Sequence, residues 1–103
     1  MFVSGTTATD EEGACKYPGD AGSQAMYVLR KIEAALAEAG ASLVDVTRTR
    51  IFVRDVDDSD AVARAHASVF GDVRPANSLL RGEPLDPAML VEIEVDAVIG
   101  TGS

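Results

Sequence analysis

The chain has 103 residues, 47% of them hydrophobic, which is enough for one domain and too few for two. Its 17 Asp and Glu against 9 Lys and Arg give a formal net charge of −8, and this argues against nucleic acid as a partner, because binding a phosphate backbone requires clustered basic charge. No apolar run approaches the roughly 20 residues that span a bilayer, and the N-terminus lacks the basic, apolar and small-residue order of a signal peptide, so no membrane contact and a cytoplasmic address are expected.

In chain order, Met1-Phe2-Val3-Ser4-Gly5 begins in β-prone residues, and 6–20 is rich in Gly, Thr, Asp and Glu and reads as a long surface loop. Cys15 in that loop is expected to be an exposed thiol, and one Cys with one His, His66, cannot supply the usual zinc set. No metal and no cofactor are expected. Over 21–39, Ala25, Leu29, Ile32 and Leu36 recur at helical spacing, with Asp20 as N-cap and Gly40 as the stop. Residues 46–53 predict a strand whose alternation sets Val46, Arg48, Arg50 and Phe52 against Thr47, Thr49, Ile51 and Val53.

Asp57, Asp58 and Ser59 offer capping oxygens to a second helix over 60–70, with Val62, Ala65, Val69 and Phe70 inward and Gly71 ending it. His66 on that helix reads as a half-buried packing residue. Arg74-Pro75 enforces an extended entry into a strand over 76–82, because a residue before proline is pushed out of the helical region. Residues 83–87 form a turn. The last strand, over 90–99, alternates strictly, with Val91, Ile93, Val95 and Ala97 on one side and Glu92, Glu94 and Asp96 on the other, before a Gly-Thr-Gly-Ser tail that is expected to be mobile. The order strand, helix, strand, helix, strand, strand fits an α+β domain with both helices on one face of a mixed sheet.

The opposite sheet face then carries Glu92, Glu94, Asp96, Arg48, Arg50, Asn77 and Arg81, together with the apolar Phe52 and Leu79. Two readings stay open for it: a solvated face, or a subunit interface with a pocket. Arg50 either reaches a ligand or pairs with Glu92 or Glu94 across strands, and Arg74 flanks the region as a guide for anions.

Ser4-Gly5, Ala39-Gly40-Ala41, the run from Arg48 to Asp55, Phe70-Gly71, Arg74-Pro75-Ala76 and Leu90-Val91-Glu92-Ile93-Glu94 fall in the order and spacing of the RidA/YjgF family, which the chain resembles over almost its whole length. The resemblance implies one domain over 1–103, a chorismate-mutase-like fold, a homotrimer whose sheets pack into a central barrel, and small-molecule clefts between subunits. It further implies hydrolysis of reactive enamines or imines, with Glu92 positioning water as the catalytic residue. Asn77, Ala76, Ser4 and Gly5, with Arg50, are the substrate-binding candidates, and the expected ligand is a carboxylate-bearing metabolite.

Two departures accompany the resemblance. The position after Pro75-Ala76, where the family carries its carboxylate-gripping arginine, is Asn77, and a contact without that charge forgoes about 1.5–3 kcal/mol. A strand with a pocket tyrosine, which precedes the Phe2-Val3-Ser4-Gly5 segment in typical members, has no counterpart here, and neither Tyr17 nor Tyr27 replaces it. The alternative to a hydrolase is therefore a non-catalytic ligand-binding member of the family, and a structural interaction module is a third reading.

Overall fold

The computed structural model describes residues 1–73 and 75–99; Arg74 and the segment 100–103, both interpreted above from sequence, lie outside them. The described chain forms β1 (Phe2–Thr6), α1 (Ala21–Glu38), β2 (Val46–Val53), α2 (Ser59–Phe70), β3 (Ala76–Arg81) and β4 (Val91–Ala97), with short 3-10 turns at Leu43–Asp45 and Val56–Asp58. This is the expected α+β order.

The first helix starts where its cap predicts. Asp20 accepts from the Ser23 amide at 3.0 Å, satisfying one of the orphan donors of the first turn. At the other end Gly40 adopts φ +81°, and the Ala41 amide reaches back to the Leu36 carbonyl at 2.8 Å, a closure that favours glycine because that backbone region crowds a Cβ. Asp55 accepts from the Asp57 amide and so starts the 3-10 turn that leads into α2.

The sheet order is β1-β4-β2-β3, with β2 and β3 parallel and the other pairs antiparallel. Val91, Ile93, Val95, Ile51 and Val53 are buried beneath Val28, Leu29, Ile32 and Leu36 of α1 and Val62 of α2. Each such side chain contributes roughly 1.5–3 kcal/mol by leaving water. Among the described residues no helix is long and apolar enough to cross a membrane.

Two irregularities change which residues face the core. In β2 the register slips between Val46 and Arg48, so Thr47 and Arg48 both point outward and Val46 is buried with Thr49 and Ile51, against the simple alternation. In β1, Val3 pairs with Val95 but Thr6 with Ile93, so three steps on one strand oppose two on the other and Ser4 and Gly5 are both left exposed.

The third strand also departs from expectation. Its parallel register sets Thr49 opposite Asn77, Ile51 opposite Leu79 and Val53 opposite Arg81, and facing residues share a side of the sheet. Asn77, Leu79 and Arg81 therefore belong to the helix side. Ala76, Ser78 and Leu80 join Arg48, Arg50 and Phe52 on the open face.

Polar anchors hold the loops. Gln24, fully buried on the apolar stripe of α1, donates through Nε2 to the Tyr17 carbonyl at 3.2 Å and the Ala88 carbonyl at 3.1 Å, and accepts from the Leu90 amide at 2.9 Å. Arg54 donates to the carbonyls of Met89, Pro84 and Asp86 and so ties down residues 82–90. Lys31 donates to the Thr7 and Thr9 carbonyls at 2.9 and 2.8 Å, and burial pushes its pKa down. Cys15 is half-buried rather than exposed, with its Sγ near the Ala88 carbonyl and accepting from Gln24.

Candidate functional site

The open face of the sheet carries three carboxylates on β4, and they are not equivalent. Arg50 on β2 faces Glu94 in register; its Nε donates to Glu94, while Nη1 and Nη2 meet both oxygens of Asp96 at 3.1 Å. This planar fork on a carboxylate raises the Arg50 pKa and holds Asp96 below the usual carboxylate range. The guanidinium also lies 5.7 Å from the centre of the Phe2 ring. The cross-strand pairing expected for Arg50 is present, with Glu94 and Asp96 as its partners.

Asp96 is depressed in the fold, so its contribution to stability is present above the unfolded carboxylate pKa of about 4 and fades as pH falls through the lower folded value. The urea midpoint of the native chain should therefore fall as pH drops from about 4 toward 2. In Arg50→Met that acid-side slope should be shallower; equal slopes would show that the pair does not set it.

Glu92 is the third carboxylate, and among the described residues no cation or hydrogen-bond donor engages it. Its neighbours explain where it sits. Phe52 faces it across β2, and the irregularity in β1 brings Gly5 over its side chain, so that a Cβ at position 5 would lie 2.0 Å from Glu92 Oε1. Glycine is required here for close approach rather than for backbone conformation. Glu92 lines two adjacent hollows, one of about 300 Å³ with Phe52, Gly82, Pro84 and Glu94, the other of about 280 Å³ with Thr7, Pro84, Leu85 and Met89.

Gly5→Ala should displace the Glu92 carboxylate, whose end is flexible and can swing aside. Thermal unfolding should change by less than about 1 kcal/mol, whereas any activity or ligand affinity that uses Glu92 should fall about tenfold or more. Circular dichroism melts run beside the functional assay check both halves.

The remaining sequence candidates separate. Ser4, beside Gly5, is exposed on the same face, and Ala76 is exposed at the β3 edge opposite Arg48. Asn77 does not join them. Its Oδ1 accepts from the Thr49 hydroxyl at 2.8 Å on the helix side, and that hydroxyl also lies 3.0 Å from Nε2 of His66. His66 is half-buried with its ring 4.6 Å from that of Phe70, and burial pushes its pKa down. Glu92 and Asn77 thus occupy opposite sides of one sheet. The open side also exposes Phe2 and Leu80, at 58% and 48% of their surface. Among the described residues no group of three or more His, Cys, Asp or Glu is placed to hold a metal.

With this geometry in hand, the likenesses to other proteins are specific. The family profile described as endoribonuclease L-PSP matches residues 1–99. The chain belongs to the RidA/YjgF family. A curated relative, the 3-aminoacrylate deaminase RutC of Acinetobacter baylyi, is 38% identical over 93 residues, covering 90% of this chain and 74% of that protein. A YjgF/YER057c/UK114-family structure from Mycobacterium tuberculosis superposes with a TM-score of 0.82 at 40% identity, covering 95% of this chain and 77% of the other. A structure from Thermotoga maritima described as a possible endoribonuclease gives 0.87 at 34% identity, with the same coverages. Membership of the RidA/YjgF family accounts for the mixed sheet with two helices on one face, which these structures share.

Gln24 and Arg54 shape the loop over the hollows, and sequence reasoning misses both. A polar residue on the apolar stripe of α1 was the available signal for Gln24. Arg54 carries none, because its carbonyl partners lie 30 or more residues away in sequence.

Proposed function

We propose that this chain is a homotrimeric hydrolase of small reactive enamines or imines, in which Glu92 orients the attacking water. The observation that carries the reading is the contrast on β4: Arg50 pairs with Glu94 and Asp96, while Glu92 has no partner among the described residues and lies packed on Gly5, open to two hollows. A carboxylate kept free of counter-charge beside a cavity is available to accept a proton from water, whereas a paired one is not. The deaminase activity named for the Acinetobacter relative supports the same chemistry.

The placement of the candidates supports an assembly of copies. Glu92 and Asn77 face opposite ways in one copy, so one small molecule touches both only where the β3 edge of one copy meets Gly5 and Glu92 of another. An uncovered sheet face bearing Phe2 and Leu80 suits such packing, since large exposed apolar groups on one face favour association. A net charge of −8 disfavours the ribonuclease activity suggested by the family's description.

The test is release of ammonia from freshly generated 2-aminoacrylate and from its amide, with native mass measured on the same sample. Hydrolysis above the spontaneous rate by a trimer is expected. A trimer that accelerates neither would overturn the hydrolase reading and favour a ligand-binding role.

A further inference from the structure

The hydrogen-bond chain behind Asn77 has a direction. Thr49 is fully buried and its hydroxyl carries one proton, which it donates to Asn77 Oδ1 at 2.8 Å. With that proton committed, the Thr49 oxygen can only accept from His66 at 3.0 Å, so Nε2 of His66 must bear hydrogen. The opposite chain, with Thr49 donating to a bare Nε2, would turn the Asn77 amide around. One imidazole tautomer therefore decides which end of Asn77 meets the exterior. Asn77 is exposed and its Nδ2 has no partner among the described residues, so the group presented at the β3 edge is the NH2.

We propose that His66 and Thr49 are positioning residues that hold Asn77 with its amide donors outward, and that the site consequently prefers a ligand ending in an uncharged acceptor, an amide or ester carbonyl, over a carboxylate. This rests on reading the β3 edge as part of the ligand cleft. An outward NH2 satisfies a neutral oxygen fully but supplies no charge to a carboxylate, which gives up its hydration for a neutral contact only. The chain's net charge of −8 adds repulsion for any anion.

Pyruvate and pyruvamide, which differ mainly in the charge of one end, are the probes, titrated into the 15N-labelled protein. Pyruvamide should bind about five- to tenfold more tightly, the effect of roughly one net hydrogen bond. Thr49→Val should erase that preference and Thr49→Ser, which keeps the hydroxyl, should restore it; a merely structural role would shift stability but not the ratio. His66 is the only histidine, so its ring 15N shifts report the tautomer without ambiguity, and the Nε2–H form is expected.

An Nδ1–H tautomer, equal or tighter binding of pyruvate, or an unchanged ratio in Thr49→Val would each overturn the proposal. If neither probe binds and neither enamine is hydrolysed, the cleft reading falls and this inference with it. Hydrolysis without the amide preference would overturn the inference alone.

Discussion

Glu92→Gln is expected to lower enamine hydrolysis by about a hundredfold or more, the usual range for losing a general base, while the melting temperature stays close to that of the native chain. The amide is nearly isosteric with the carboxylate, so the approach of Gly5 and the packing against Phe52 survive. No ion pair is broken, because among the described residues Glu92 has none to lose. What disappears is the ability to take a proton from water. The comparison with Glu94→Gln is informative: that change removes the charge from one of the two carboxylates on Arg50, so it should affect stability more than turnover. Initial rates of ammonia release and thermal melts on both variants decide the matter, and an unchanged rate in Glu92→Gln would remove Glu92 from the mechanism.

The largest stability loss among polar substitutions is expected for Gln24→Ala. Truncation leaves the Leu90 amide without its partner, takes one donor from the carbonyls of Tyr17 and Ala88, which keep the Asp20 amide and the Cys15 thiol, and opens a cavity in a fully buried position. A buried polar group left unpaired costs about 1–3 kcal/mol, so a total of roughly 3 kcal/mol or more follows. For a chain of this size that lowers the melting temperature by roughly 12–24 °C. Because Gln24 pins Ala88 and Leu90, the loss should also expose residues 82–90 to proteases earlier than the helices. A melt lowered by only a degree or two would show that water replaces the lost contacts.

Glu92 and Gln24 differ in how far the sequence alone exposes them. Strict alternation on β4 puts Glu92 on the open face together with Glu94 and Asp96, and only the family resemblance sets Glu92 apart from them. Nothing in the sequence sets Gln24 apart, since a polar residue amid Ala25, Leu29 and Ile32 looks like noise in a helical pattern until its three backbone partners are seen.

Arg50 shows the same boundary from another side. Its strand and face were readable, and Glu94 was among its anticipated partners, but its commitment to Asp96 as well depends on the register of β2 against β4.

By itself the sequence determined the elements: two amphipathic helices, the Asp20 cap of the first, the β4 alternation and the family to which the chain belongs, whereas the side-chain cap expected for α2 from Asp58 does not form. These are short-range properties, written in spacing of 2 or 3.6 residues and in cap and turn chemistry. Tertiary structure alone decided the side on which Asn77 lies, the burial of Val46 and the approach of Gly5 to Glu92. Residues 76–81 read Ala, Asn, Ser, Leu, Leu, Arg, with an apolar and a polar group on either face, so periodicity carries no sign there. The sign comes from the parallel register with β2, and the other two placements come from slips in pairing, each a property of two strands together rather than of either one.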